Sequence, residues 1–360
     1  RRQRQMCIRD RTIINKLIKL REKIDRNKVS FRSEKNTDSS EYYTKSDKPQ
    51  GLIEKIVHWL NTFSFIVGVW WFIFKKRNEI DIIHTHIASW NAGFAGWLGH
   101  LFKIPVVCKA AFIPPFHEYG KSVPFGSKWK IWRTQIQYIA MLPEIEHMLH
   151  AQGVPLERIY LVPNGVFLPK KKAPIENNNL VLYVGNFSQG SGHKGFDILF
   201  KSWAIVCREI QNVKLVIAGG GDRTHWTQMA CELGCMESIS FLGYVKDMEN
   251  IYLDAGLFVL PSRAEGMSNA LLEAQSFGIP AVVSDIPGNR EVVVHGETGL
   301  IVPINDVKKF AKAMVRILQN ETLRVKMGTR ARIHVEEKFS MKNISDQVLK
   351  VYDCVCKNNP

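Results

Sequence analysis

The sequence has no paired cysteine framework and no recognisable metal-ligand motif. Its seven cysteines are scattered over 360 residues, and no histidine pair stands near them at the spacing of a zinc site. A small disulfide-stapled secreted domain and a structural zinc module are therefore excluded as classes. Reduced thiols, as in a cytosolic protein, are the better interpretation.

No apolar run is long enough to cross a membrane. In the segment 52–74 the near-continuous apolar part covers only residues 63–74, whereas a span requires roughly 20 residues. The segment instead predicts a helix that is buried or lies in a membrane interface. Tryptophans at positions 59, 70 and 71 and the basic triplet 75–77 suit such an interface.

Two further motif classes are missing. Glycines 219–221 and Asp222 follow a predicted strand, but G-x-G-x-x-G with an acidic residue about 20 positions later is absent, which excludes a dehydrogenase. The net charge of +15 would suit a nucleic acid, yet the basic residues are scattered and no nucleic-acid-binding module is present. We therefore expect no nucleic-acid partner.

The first eleven residues predict a non-native tail. Residues 6–11, MCIRDR, are what the end of a sequencing-library transposon adapter encodes when it is read in frame. We expect the gene fragment to begin near Thr12 without its natural N-terminus, and its net charge is then nearer +11. Residues 12–168 carry +8 of this and residues 169–360 carry +3. The excess suits an anionic membrane face or an anionic acceptor, and it is equally compatible with solubility alone.

What the sequence does contain is two successive series of alternating strands and helices. The first series includes predicted strands at 81–86, 104–109, 136–141 and 159–163, and the second has them at 180–184, 213–218, 239–242 and 257–260. This rhythm predicts parallel sheets, and the length predicts two domains. We place an N-terminal domain at 12–168, a C-terminal domain at 169–337 and a final helix within 338–360.

The most informative stretch is LPSRAEGMSNALLE, residues 260–273. An apolar strand ends, a tight loop follows and a helix begins, so unpaired amide groups at the helix start suit an anion such as a diphosphate. Gly266 lets a ligand approach the backbone. Glu265 and Glu273 flank this anion site, and carboxylates there make sense as acceptors for the hydroxyl groups of a nucleotide sugar. The alternative is an ordinary turn with two solvated glutamates.

The same stretch resembles the signature of the retaining glycosyltransferases of family 4. The resemblance rests on E-x7-E within PSRAEGMSNALLEA, on GIPAVVSDIPGNREVVVHGETGLIVP after it, and on HKGFD, DIIHTH and IYLVPNGV elsewhere. It implies the GT-B fold, in which two Rossmann-like α/β domains face each other across a cleft. It also implies a final helix that packs back on the N-terminal domain, a nucleotide-diphosphate sugar as donor and no obligatory metal or other cofactor.

The resemblance also implies roles for individual residues. Glu273 would accept the ribose hydroxyls, Glu265 would contact the transferred sugar, and Lys194 would neutralise the diphosphate; we take Glu265 and Lys194 as the catalytic candidates. The other donor-binding candidates are Gly266, Met267, Ser268, Asn269, Asn186, Gly219, Gly220 and Tyr244. The candidates on the acceptor side of the cleft are His84, His86, Lys109 and His117. His84 and His86, two apart on one strand, could also form half of a metal site, but no third ligand is nearby.

Three departures from the family pattern bear on activity. Asn186 stands where the family usually has an arginine, and Ala110 and Ala111 stand where it usually has a histidine, so that Lys109 or His117 would have to substitute. We also expect the family's first strand and its glycine loop to be missing from this fragment. We predict a retaining glycosyltransferase of bacterial cell-surface polysaccharide or lipopolysaccharide synthesis, using a UDP- or GDP-sugar and a glycan or lipid-linked acceptor. It would lie in the cytoplasm, on the inner membrane face. The alternatives are a GT-B-fold nucleotide-sugar epimerase and a basic nucleic-acid-binding protein.

Overall fold

A computed structural model describes residues 52–86, 88, 90–111, 129–174, 178–186 and 192–357. These residues form two compact units. One holds the described residues up to Leu161 together with those from Val348 onward, and the other is Val162–Gln347. Each unit has its own parallel sheet with helices between the strands, so the prediction of an α/β chain with two parallel-sheet domains is confirmed.

The first unit is built on a four-stranded sheet. Its strands lie in the order β1-β2-β3-β4, and every neighbouring pair is parallel. Its elements up to Leu161 are α1 (Leu52–Lys76), β1 (Ile83–His86), α2 (Trp90–Phe102), β2 (Val106–Ala110), α3 (Trp129–Arg133), β3 (Gln137–Ala140), α4 (Pro143–Ala151) and β4 (Ile159–Leu161).

Helix α1 is apolar on two sides. Ile66, Val69, Trp70 and Ile73 repeat at helical spacing and pack in one cluster with Phe94 and Leu98 of α2. Val67, Trp71 and Phe74 repeat at the same spacing on a different face and are exposed. Within the described residues no helix is both long and apolar enough to cross a membrane.

The second unit is built on a six-stranded parallel sheet in the order β10-β9-β8-β5-β6-β7. Its elements are β5 (Leu180–Val184), α5 (Phe196–Glu209), β6 (Lys214–Ala218), α6 (Thr224–Glu232), β7 (Ile239–Gly243), α7 (Glu249–Leu253), β8 (Leu257–Leu260), α8 (Asn269–Ser276), β9 (Ala281–Ser284), α9 (Pro287–Val292), β10 (Gly299–Val302), α10 (Val307–Leu318) and α11 (Glu321–Phe339). Helix α12 (Met341–Lys357) begins in this unit, and its residues from Val348 belong to the first.

Burial on both faces explains why the strands of the second sheet read as continuous apolar runs. All four residues of β8 and all four of β9 are buried, as expected for a parallel sheet covered by helices on each side. The helices begin at capping residues: Ser268, Asp306 and Asn320 accept hydrogen bonds from the first turns of α8, α10 and α11. None of the six described cysteines forms a disulfide.

Candidate active site

The strand order of the second sheet fixes where a ligand crevice can form. From β5 the chain builds outward through β6 and β7, and it then returns to add β8 on the other side of β5, with Val181 beside Leu257. Loops that follow β5 and β8 therefore leave the sheet edge in opposite directions. This switch point, at the carboxyl ends of the strands, is where doubly wound sheets bind ligands.

Lys194 and Glu265 meet at this switch point. The Lys194 Nζ lies 2.7 Å from Oε1 of Glu265, and Ser262 Oγ donates to the same oxygen at 2.9 Å. The two charged side chains are only 24% and 15% exposed, so their attraction is screened less than that of a surface pair. The two residues that the sequence nominated for catalysis are thus brought into direct contact.

Arg263 joins the same two loops through several contacts. Its guanidinium donates to both carboxylate oxygens of Asp197, each at 2.8 Å, and to the carbonyl of Gly192 at 2.6 Å. Its backbone amide donates to the carbonyl of His193 at 2.6 Å. The bidentate hydrogen bonds from Arg263 lower the pKa of Asp197. This arrangement holds the backbone around Lys194 against the backbone around Glu265.

Two glycines allow these loops to pack with almost no space between them. Gly195 has φ +70°, and a Cβ there would collide with the carbonyl oxygen of Pro261. A Cβ on Gly288, in the first turn of α9, would collide with the carbonyl oxygen of Gly266. Backbone therefore lies directly against backbone on both sides of the β8–α8 loop, which only glycine permits.

The start of α8 is held by a side chain that precedes the second sheet. Ser268 caps the helix by accepting from the amide of Leu271 at 3.4 Å. The Asn164 side-chain amide donates to Oδ1 of Asn269 at 3.0 Å and to the carbonyl of Met267 at 3.4 Å. Residues 266–269 thus form a fixed loop from which the first amide groups of an eight-residue helix can face an anion.

Glu273, about one turn into α8, is oriented by a buried tyrosine. The hydroxyl of Tyr252, on α7, donates to Oε2 of Glu273 at 2.7 Å. Burial of the ring and the charge of Glu273 raise the pKa of Tyr252, so that it stays a hydrogen-bond donor. Among the described residues, no side chain forms a hydrogen bond with the other carboxylate oxygen of Glu273.

The glycine loops after β5 and β6 come together at the same sheet edge. Asn186 Oδ1 accepts from the amide of Gly220 at 3.1 Å, and a Cβ on Gly219 would collide with the carbonyl oxygen of Gly185. Tyr244 follows β7, the outermost strand on this side, and is highly exposed. Asn186, Gly219 and Gly220 are therefore neighbours, while Tyr244 lies further along the edge.

Three of the four nominated acceptor-side residues lie at the carboxyl ends of β1 and β2 in the first unit. His84 and His86 stack with ring centroids 4.8 Å apart, and His86 lies opposite Lys109 in the strand register. His84 Nδ1 contacts the hydroxyl of Tyr352 on α12. Burial, and then the charges of His86 and Lys109, lower the pKa of His84 to about 4. His117 lies outside the described residues. Within those residues no group of three or more His, Cys, Asp and Glu side chains is placed to hold a metal ion.

Comparison with known proteins identifies the family. A family profile described as glycosyl transferases group 1 matches residues 167–334. An uncharacterized glycosyltransferase of Methanocaldococcus jannaschii is 31% identical over 305 residues, which cover 76% of this chain and 75% of that protein. The chain belongs to the group 1 glycosyltransferases.

Two further relatives of this group 1 glycosyltransferase define the extent of the likeness. The capsular polysaccharide biosynthesis glycosyltransferase CapM of Staphylococcus aureus is 29% identical over 212 residues, which cover 58% of this chain but only 54% of CapM. The crystal structure of Anabaena Alr3699/HepE in complex with UDP superposes with a TM-score of 0.69 at 17% identity, covering 80% of this chain and 82% of that one. This structural neighbour, together with the two parallel-sheet units, confirms the GT-B type of fold.

Several residues that build the site of this glycosyltransferase had no assigned role in the sequence analysis. Arg263, Asp197 and Asn164 each lie inside a motif that carried the resemblance, so the motifs themselves were the available signal. Tyr252 had no such signal. Its contact with Glu273 joins α7 to α8, and such a pairing between helices depends on the fold.

Proposed function

We propose that the chain transfers a sugar from a nucleotide-diphosphate sugar to a hydroxyl acceptor with retention of anomeric configuration, as in family 4. The observation that carries this proposal is the Lys194–Glu265 pair at the switch point. One cation and one carboxylate lie there, largely shielded from solvent, beside the capped N-terminus of α8. Sugar transfer requires positive charge near the leaving diphosphate and a fixed orientation of the sugar. Positioning and electrostatic stabilisation supply most of the rate enhancement in such a reaction.

Each charged group has a role in this proposal. Lys194 and the amide groups at residues 266–269 bind the diphosphate, whose charge grows as the bond to the anomeric carbon breaks. Lys194 leaves Glu265 to do so, which frees that carboxylate for the hydroxyls of the transferred sugar. Glu273, held on one oxygen by Tyr252, accepts the ribose hydroxyls with the other. Asn186, Gly219, Gly220 and Tyr244 complete the donor side, and no metal cofactor takes part.

The first unit and the relatives support a proposal for the acceptor and the pathway. His84, His86 and Lys109, at one sheet edge of the first unit, would meet a glycan or lipid-linked acceptor. The name of CapM, which is a capsular polysaccharide biosynthesis glycosyltransferase, supports a place in the synthesis of bacterial cell-surface polysaccharide, and the proposal includes lipopolysaccharide as the alternative product. The proposal also includes a location in the cytoplasm at the inner membrane face.

A screen of nucleotides followed by a product assay tests this proposal. Panels of UDP- and GDP-sugars are added to the full chain, and thermal unfolding is recorded. A donor at a hundredfold excess over its Kd stabilises the fold by about 2.7 kcal/mol. The stabilising donor is then incubated with acceptors, and the anomeric configuration of the product is determined. A changed donor sugar without transfer would identify an epimerase instead, and stabilisation by none of the nucleotides would refute the proposal.

We also propose that α1 binds an anionic membrane surface without spanning it. Its inner stripe already packs on α2, yet Val67 and Trp71 remain exposed, Trp71 by 55%. Lys75 stands one turn after Trp71 and is exposed, and Arg77 stacks on the ring of Phe74, 4.7 Å from its centroid. An apolar face next to cationic side chains fits the boundary between acyl chains and anionic headgroups.

A further inference from the structure

A buried hydroxyl lies directly under the switch point and has no role in the function proposed above. Tyr183, the fourth residue of β5, is fully buried, with its ring centroid 4.8 Å from that of Phe196. Its hydroxyl has no hydrogen-bond partner within the part of the chain that the structure describes. A buried polar group left unpaired destabilises a fold, so such groups in native proteins call for a physical reason.

The position of the hydroxyl indicates that reason. A Cβ on Gly185 would lie 2.9 Å from the Tyr183 oxygen, so the hydroxyl sits against the loop that leaves β5 toward Lys194. Burial, and then the negative charge of Glu265, raise the pKa of Tyr183. The hydroxyl therefore keeps its proton. Strand β5, which carries Tyr183, lies beside β8, the strand that leads into the Glu265 loop, and the two side chains are not hydrogen-bonded in the structure.

The partners of Glu265 show when this donor would be needed. Its Oε1 is bound by Lys194 and Ser262, and its side chain is only 15% exposed. In the proposed function Lys194 turns to the diphosphate, and the carboxylate then loses its cation in a place with little access to water. Ser262 and the hydroxyls of the transferred sugar then remain as its partners, and one more donor from the protein would stabilise the carboxylate and fix its direction.

We propose that Tyr183 is a positioning residue that donates its hydroxyl to Glu265 once Lys194 has turned to the donor diphosphate. The inference rests on the proposed function and adds to it a residue that replaces the cation. Tyr183 is fixed by its packing in β5, so in this proposal the Glu265 side chain turns to meet it. The hydroxyl would then hold the carboxylate toward the transferred sugar.

A matched pair of variants tests this proposal, because each glutamate has one buried tyrosine near it. Tyr183→Phe removes a hydroxyl that is unpaired in the structure, so the Tm should not fall, while kcat should fall by about tenfold to a hundredfold, the effect of one hydrogen bond to a charged group. Affinity for the nucleoside diphosphate, measured with both UDP and GDP, should stay unchanged. Tyr252→Phe removes an existing bond to Glu273, so both the Tm and the affinity for the nucleoside diphosphate that binds the wild type should fall.

The same substitution in a Glu265→Gln protein distinguishes a role of Tyr183 in positioning Glu265 from a general effect on the protein. In Glu265→Gln the added change Tyr183→Phe should lower kcat by less than twofold, because the two residues act on the same contact. An unchanged kcat in Tyr183→Phe alone, a Tm loss like that of Tyr252→Phe, or full additivity with Glu265→Gln would each overturn the inference. Absence of turnover in the wild type with every nucleotide sugar would overturn the proposed function, and with it this inference.

Discussion

Truncation of Glu273 and truncation of Glu265, which lie eight residues apart, should affect nucleotide binding and turnover differently. In the proposed function Glu273→Ala removes two charge-assisted hydrogen bonds to the ribose, so it should lower kcat/KM by about a hundredfold to a thousandfold. Because the ribose does not react, most of this loss should appear as weaker binding of the nucleoside diphosphate. Titration calorimetry with UDP and GDP measures it, and equal affinity in variant and wild type would refute the role of Glu273.

Glu265→Ala, by contrast, should lower turnover more than nucleotide affinity. It also leaves Lys194 without its partner, which frees the cation for the diphosphate. Nucleoside diphosphate should therefore bind as well as or better than in the wild type, while kcat falls. Weaker nucleotide binding in this variant would show that Glu265 supports the nucleotide and not the sugar.

We expect Arg263 to support donor binding by holding together the two loops that it contacts. Arg263→Ala breaks the bidentate contact to Asp197 and the contact to Gly192, so the donor KM should rise by roughly tenfold. Arg263→Lys should not restore it, since an ammonium cannot reproduce the planar fork. Steady-state kinetics checks this against Arg316→Ala, which removes an exposed arginine at the end of α10. An effect of similar size in both variants would contradict the role.

At the scale of elements, α1 is the helix whose exposed face predicts binding to vesicles. Flotation should recover the wild type with phosphatidylglycerol vesicles and not with phosphatidylcholine vesicles. Trp71→Ser should abolish recovery, and Lys75→Ser should weaken it by about fivefold, as the loss of roughly 1 kcal/mol per cation implies. Both positions are exposed, so the inner stripe and the fold remain.

Ile333→Ser, at an exposed apolar position of α11, provides the control and should float like the wild type. A dimer that Trp71→Ser converts to a monomer, without flotation of either, would assign the face to a second copy of the chain. Binding that survives high salt and alkaline extraction would indicate an integral protein instead.

Elements were predictable from the sequence where burial on both faces left a continuous apolar run. The strand predicted at 257–260 is β8, and that predicted at 180–184 is β5. The predicted strand 104–109 is shifted, because Ile104 and Pro105 precede the ladder that starts at Val106. Strand order was not predictable. The neighbours β5 and β8 are separated by about seventy residues, and only the closed sheet makes them adjacent.

The same limit applies to the site. Lys194 and Glu265 could be nominated separately, since each lies in a local motif, and the structure adds that they touch. Tyr252 and Tyr183 could not be nominated, because an aromatic residue in an apolar run predicts only core packing. The role of each hydroxyl depends on neighbours that are distant in sequence.

For the whole molecule, the buried His84 predicts a pH range in which stability falls. Its pKa is about 4 in the folded chain and 6.5 in the unfolded one, so only the unfolded state takes up the proton between these values. Stability is full above pH 6.5 and is lost as the pH falls toward 4, by on the order of 1–2 kcal/mol at pH 5. Burial is the main cause, and His86 and Lys109 act in the same direction.

Thermal unfolding of the wild type and of His84→Gln between pH 7.5 and 5 measures this contribution. Glutamine can still meet the Tyr352 hydroxyl but does not titrate, so the variant should lose less stability on acidification. His193 and His334, whose pKa values are also lowered by burial, remain in both proteins and cancel in the comparison. Parallel curves for the two proteins would show that His84 is protonated in the folded chain.

The glycines at 195 and 288 have a consequence for redesign of the enzyme. Backbone touches backbone at both positions, so neither loop can accept a longer side chain or an inserted residue without opening the crevice. A mutational library aimed at a new donor sugar should therefore leave these two positions untouched. The library should instead vary Asn186 and Tyr244. Both are exposed at the same sheet edge, so a different side chain has room there.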